Sequence, residues 1–161
     1  MLMAKIRRSR KEEYVNYKNI EYLFSFKIPG YWKKSKMTIR PNSIENYYDK
    51  TGDKYCYIYA KEKINYEINA TLRDFAAMGL SIFKLYEGFE LKSMQLMEKK
   101  KDCFLLYEIS FIYMRKKYVG YLSFHESEKT FYELGIIIPE GNKKDNDYNE
   151  IINSFEVMVE A

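Results

Sequence analysis

An α+β domain, in which an antiparallel sheet of about six strands packs against a central helix and a C-terminal helix, is the fold class that three patterns in the sequence predict. Two short runs place their side chains alternately on two faces: Phe24, Phe26 and Ile28 against Ser25 and Lys27, and Tyr55, Tyr57 and Tyr59 against Cys56, Ile58 and Ala60. One stretch, Thr71 to Tyr86, repeats its apolar residues at spacings of three and four. Four consecutive extended runs then follow, joined by short polar links. The 161 residues suit one such domain, large enough to bury a core without staples.

Residues 1 to 18 are polar and basic without sustained periodicity and read as a mobile arm or short helix, which leaves 19–161 as the single folded domain. The first strand ends in Phe24-Ser25-Phe26-Lys27-Ile28 and stops at Pro29-Gly30. A turn or second strand follows from Tyr31-Trp32 to Arg40-Pro41. The stretch from Pro41 to Asp53, with Asn42, Ser43, Asn46, Asp49 and Gly52, reads as a loop carrying Tyr47 and Tyr48. Lys54 to Glu62 is the next strand.

In the central helix, Leu72, Phe75, Ala76, Gly79, Ile82, Phe83 and Tyr86 form the apolar stripe. Thr71 and Asp74 have the spacing of a capping box, and Gly88 supplies a stop. The four runs after it are Phe89 to Lys99, Cys103 to Arg115, Tyr118 to Glu126 and Thr130 to Ile138, and their links are short enough to make a meander of hairpins. Asp147 can cap a last helix whose Tyr148, Ile151, Ile152 and Phe155 share one face.

The opening Tyr22-Leu23-Phe24-Ser25-Phe26-Lys27-Ile28-Pro29-Gly30-Tyr31-Trp32, Thr71-Leu72 at the head of the central helix, and the closing Asp147-Tyr148-Asn149-Glu150-Ile151-Ile152-Asn153-Ser154-Phe155 together resemble the PsbP-like superfamily. That group includes the photosystem II extrinsic protein, Ran-binding Mog-type proteins and bacterial DcrB-like domains. The resemblance spans about Tyr17 to Val157. It implies an antiparallel sheet flanked by helices and an accessory or binding role, with another protein as partner, rather than catalysis. Many bacterial relatives are exported or lipid-anchored. A cytoplasmic subgroup resembles chaperones that escort secreted effectors, which makes a chaperone or adaptor the first alternative function.

Composition narrows the chemistry. The chain has 27 Lys and Arg against 23 Asp and Glu, and Lys5, Arg7, Arg8, Arg10 and Lys11 put most of the net charge of +4 in the first thirteen residues. A nucleic-acid binder using Arg7, Arg8, Arg10 and Lys11 is the second alternative, against which the near-neutral remainder argues. Lys117-Tyr118-Val119-Gly120-Tyr121-Leu122-Ser123-Phe124 is similar to an RNA-recognition strand, but Val119 stands where that motif needs an aromatic residue. No apolar stretch is long enough for a secretory signal or a membrane span, so the chain as written is expected in the cytoplasm, or exported if a leader precedes it. Cys56 and Cys103 fall in apolar runs and are expected to be reduced, buried thiols.

No catalytic or metal constellation is present in the sequence. His125 is the one histidine, with Ser123, Glu126 and Ser127 beside it, and these are sequence neighbours without the arrangement a nucleophile requires. One His and two isolated Cys do not build a zinc site. Asp49-Lys50-Thr51-Gly52-Asp53 lacks the ligand spacing of a calcium loop and reads as a turn. Asn69-Ala70-Thr71 fits the glycosylation sequon, but a helix cap accounts for Thr71 more simply. No cofactor is expected. With Tyr 17 and Phe 10 in the chain, the candidate binding surface is aromatic: Tyr55, Tyr57 and Tyr59 on one strand face, joined by Tyr47 and Tyr48.

Overall fold

The computed structural model describes residues 13–38, 40–49, 53–99, 102–142 and 147–159. Among them are ten strands, β1 (Tyr14–Asn19), β2 (Phe24–Pro29), β3 (Lys33–Lys34), β4 (Glu45–Tyr48), β5 (Tyr55–Glu62), β6 (Glu87–Glu98), β7 (Cys103–Tyr113), β8 (Lys116–Glu126), β9 (Thr130–Pro139) and β10 (Glu156–Val157). Two helices join them, α1 (Leu72–Phe83) and α2 (Asp147–Ser154). Two sheets form: β1-β2-β10, and a seven-stranded sheet in the order β3-β4-β5-β9-β8-β7-β6, with every pairing antiparallel. The α+β class and the flanking helices agree with the sequence. The six strands expected are ten, because short strands such as β3 and β10 exist only through the neighbours they pair with.

The large sheet is the middle of three layers. Its Cys56, Ile58, Ala60, Tyr132, Leu134 and Ile136 face packs on the small sheet and α2, whose Phe24, Phe26, Ile28, Ile151 and Ile152 are buried. The opposite face, bearing Tyr57, Leu105, Ile109, Leu122, Phe124 and Phe131, is covered by Phe75, Ala76, Leu80 and Phe83 of α1. β9 lies between β5 and β8, and all ten of its residues are buried. The Thr71–Asp74 capping box forms as the spacing predicts: the Asp74 amide donates to Thr71 Oγ1 at 3.2 Å and the Thr71 amide to Asp74 Oδ2 at 2.8 Å.

Several boundaries move. Residues 14–18, read as part of the arm, lie in β1, where Tyr17 packs on Phe26 and Tyr47 and the Tyr14 hydroxyl donates to Asp147 Oδ1 at 2.9 Å. Tyr47 and Tyr48, expected in a loop, are in β4 and pair with Cys56 and Tyr55. Helix α1 ends at Phe83 rather than Tyr86. Gly88, expected to stop it, sits in β6 with a φ of 65°, next to a register irregularity between Glu87 and Glu90. The β7–β8 turn is Met114-Arg115 rather than Lys116-Lys117, with both residues at positive φ, as a two-residue hairpin turn of this hand demands. Cys56 is buried as expected, but Cys103, at the start of β7, is exposed. No described helix is long and apolar enough to cross a membrane.

Candidate functional site

The aromatic face read from the sequence is covered by α1. Tyr57 is 1% exposed beneath the helix, and Tyr47 is 1% exposed between the sheets, so neither can contact a partner. Alternation puts Tyr55, Tyr57 and Tyr59 on one face but does not say what lies against it, and Tyr47 is on the opposite face of the sheet. Tyr59 is half-buried, its ring stacked on Phe75 on one side and capped by the Arg40 guanidinium 3.7 Å from its centroid on the other. Tyr48 and Tyr55 are also half-buried, opposite each other across the β4–β5 ladder. Arg7, Arg8, Arg10 and Lys11 lie outside the described residues.

Beneath α1 is a charge cluster that the sequence reading missed. Glu133 of β9, 0% exposed, accepts from Arg40 Nε at 3.3 Å to each carboxylate oxygen and from the Tyr57 hydroxyl. Arg40, 4% exposed, also donates to the Pro41 carbonyl at 2.6 Å. Burial raises the Glu133 carboxyl above the usual carboxylate range, and the charge of Arg40 and the hydrogen bonds from Tyr57 and Arg40 pull against it. Gly79 makes the room: a Cβ there would come within 2.5 Å of Glu133 Oε1 and 2.8 Å of Phe124. The signal in the sequence was a lone carboxylate in the middle of an apolar strand, Phe131-Tyr132-Glu133-Leu134. Closed in by α1, the cluster is a structural clasp between β9, β5 and the segment before β4.

His125 and Ser123 share a face and their side chains meet, His125 Nε2 lying 2.9 Å from Ser123 Oγ. Both are buried. The imidazole stacks between Phe104 and Phe155, with centroids at 4.7 and 4.4 Å. Burial, and secondarily the charge of Lys99, push its pKa down to about 3. The ring is therefore neutral when folded and takes up a proton when unfolded below its ordinary 6.5, so stability present above pH 6.5 is lost as pH falls toward 3. Between about pH 6 and 4, wild type should lose up to ~1.4 kcal/mol per pH unit relative to His125→Gln, read by urea unfolding. Parallel pH profiles for the two proteins would contradict this. Among the described residues no cluster of His, Cys, Asp or Glu could hold a metal ion.

What remains is surface. A cleft of about 620 Å³ opens at one end of the sandwich, with Tyr22, Leu23, Tyr132 and Val157 in its wall and Glu21, Glu62, Asp102, Glu126 and Glu128 around it. The other surface feature is β6. The large sheet ends in β3, two residues long, on one side and in β6, twelve residues long, on the other. Helix α1 makes its main contacts with β7, β8 and β9. Leu91, Met94 and Leu96 are consequently 48%, 53% and 57% exposed.

The backbone of β6 can be assigned side by side. Lys99 and Asp102 exchange both of their amide bonds, at 2.7 and 3.2 Å, and the register then runs unbroken from Glu98↔Cys103 to Ser93↔Glu108. In an antiparallel ladder bonded and non-bonded pairs alternate. Met97, Gln95 and Ser93 therefore bond to β7, while the N–H and C=O groups of Glu98, Leu96 and Met94 point away from it, toward the outer edge. Among the described residues no strand lies there. A register irregularity between Leu91 and Ser93 and the exposed Lys92–Glu90 pair, 2.7 Å apart, blunt the first half of the strand, leaving 93–98 regular and open.

A seven-stranded antiparallel sheet between one helix and a small sheet with a second helix defines the class: a three-layer α+β domain with a long edge strand that no other described strand covers. Within that class the fold is PsbP-like. The chain superposes on the solution structure of cyanobacterial PsbP (CyanoP) from Synechocystis sp. PCC 6803 with a TM-score of 0.68, at 12% identity over 89% of this chain and 92% of that one. It superposes on the Ran-binding protein Mog1p of Saccharomyces cerevisiae with a TM-score of 0.61, at 9% identity over 90% and 95%. LpqN of Mycobacterium tuberculosis, involved in cell envelope biogenesis, gives 0.56, at 8% identity over 98% and 97%. No protein-family model and no curated protein matches the sequence.

Proposed function

We propose that the chain is a non-catalytic, protein-binding accessory domain that docks its partner on the β6 edge. The observation that carries this reading is the coincidence, on one regular run, of outward-facing backbone groups at Met94, Leu96 and Glu98 with exposed apolar side chains at Met94 and Leu96. An added strand would satisfy the former and cover the latter, which is how extended segments bind sheet edges. A monomer has no folding reason to leave such a strand bare. Mog1p, of the same fold, is a Ran-binding protein, so this scaffold has room for partner recognition. The half-exposed rims of Tyr48, Tyr55 and Tyr59 would then be secondary contacts at the far side of the sheet. The test is the double variant Met94→Lys/Leu96→Lys, which should keep the fold, because both side chains are exposed, and lose the proteins that wild type retains.

A further inference from the structure

We infer that His125 is the acid-sensitive half of a latch: the C-terminal unit α2–β10 is fastened to the large sheet through Phe155, and a proton on His125 frees that unit while the rest of the domain stays folded. Phe155 joins α2 to β10 and is buried. Its ring sits in an aromatic box. Phe24 of β2 stacks on it at 5.6 Å, Tyr132 of β9 meets it edge-on at 5.6 Å, and the His125 imidazole lies 4.4 Å away between centroids. Phe104 of β7 stacks on the imidazole at 4.7 Å. Of these rings, only the imidazole changes charge in mildly acidic water.

The elements around His125 leave no place for a second positive charge. β8 itself supplies Ser123 Oγ, 2.9 Å from Nε2, and β7 and β9 supply Phe104 and Tyr132, the latter with its hydroxyl turned to the Tyr22 carbonyl. The residue following β6 is Lys99, whose ammonium donates to the Phe155 carbonyl at 2.8 Å and so closes the same box with a like charge. Asp102 and Glu156 act on Lys99, and among the described residues no carboxylate acts on the ring. An imidazolium here is desolvated and repelled at once. Water must reach it, and Phe104 cannot give way without opening the large sheet. Phe155 can.

The unit that would leave is small. α2 has eight residues and β10 two, and both hold chiefly to β2: the Lys27 amide donates to Ser154 Oγ at 2.8 Å, Glu156 and Val157 pair with Ser25 and Phe24, and the Met158 amide donates to the Leu23 carbonyl at 2.8 Å. Ile151 and Ile152 add apolar contact, and Tyr148 stacks on Tyr121 at 3.8 Å. A terminal unit of this size opens at a lower free energy than β9, which is buried along its whole length between β5 and β8. The open form takes up the proton that the closed form refuses, so its population grows as pH falls below the ordinary 6.5 of histidine toward the folded value near 3. Opening bares Phe24, Tyr132 and His125, an apolar surface shown only in acid.

Amide hydrogen exchange of the whole chain at pH 6, 5 and 4, corrected for the intrinsic rate at each pH, separates local from global opening. The amides of Ile151 to Phe155 and of Met158 should be less protected than those of Leu134 to Ile137 in β9 at every pH. Their protection should fall by roughly 50–100-fold from pH 6 to pH 4. In His125→Gln and in His125→Asn, which keep Asp147, Glu150 and Glu156, that fall should shrink to a few-fold. C-terminal amides whose protection is flat with pH, while β9 still responds, would show that their opening does not free His125 and overturn the latch. Equal protection of the two sets would remove the separate unit, and a fall undiminished in both His125 variants would assign the response to the carboxylates instead.

Discussion

Replacing Glu133 with Leu should lower the unfolding free energy by about 3–5 kcal/mol, because it leaves the Arg40 guanidinium buried without its carboxylate. Arg40 is 4% exposed and Glu133 0%, so water cannot take over as partner to either. The Tyr57 hydroxyl, which donates to Glu133, would be orphaned as well, adding about 1–3 kcal/mol as its own desolvation cost if the site does not relax. The pair's attraction largely offsets the cost of burying it, so removing both charges should hurt less than removing one. Arg40→Met/Glu133→Leu is expected to fall at least ~2 kcal/mol short of the sum of its single variants in urea unfolding. Arg40→Met alone has a further signature. Without the guanidinium, burial holds the Glu133 carboxyl above its unfolded value, so the folded state binds the extra proton, and stability present at low pH is lost as pH rises through the folded pKa. Additive single variants, or an Arg40→Met protein whose stability relative to wild type does not fall with pH, would contradict the clasp.

The second large effect is expected at Gly135. Within a strand, Gly→Ala ordinarily stabilises by about 0.5–1 kcal/mol. Here Tyr57 lies directly opposite, and its ring covers the glycine so closely that a Cβ would sit well under 3.0 Å from three of its atoms. The ring cannot retreat freely, since its hydroxyl is held by Glu133 and its face stacks on Phe83 with centroids 6.2 Å apart. Gly135→Ala should therefore destabilise by about 3 kcal/mol, the upper range for overpacking. Paired with Tyr57→Ala it should cost almost nothing beyond Tyr57→Ala alone, a coupling read in a thermal or urea double-mutant cycle. Equal costs in both backgrounds would mean that the ring is not what excludes the side chain.

How much of this could be read in the sequence depended on the range of the interaction that decides each feature. The capping box of α1 needs only Thr71 and Asp74, and the long strands need only their own alternation, so both were legible. β1 is not legible locally, because Tyr14 and Tyr17 count as strand residues only once Phe26, Tyr47 and Asp147 are beside them. Period puts the tyrosines of β5 on one face, but period alone cannot say that α1 covers it. Arg40 and Glu133 are 93 positions apart, and nothing local to Arg40 marks it as buried. The run that became β6 was visible as a strand. Its position at the edge follows from the order β9-β8-β7-β6, in which a meander leaves its first member on the outside.

Whether β6 is a docking edge is decided by comparing wild type with Met94→Lys/Leu96→Lys, at matched fold and stability, for the proteins each retains from the native host's extract. The variant should unfold within about 0.5 kcal/mol of wild type, as surface substitutions do, and lose the retained proteins, while the same double-lysine change on the exposed face of α1, at Ala77 and Met78, should keep them. Equal retention by both proteins would contradict it.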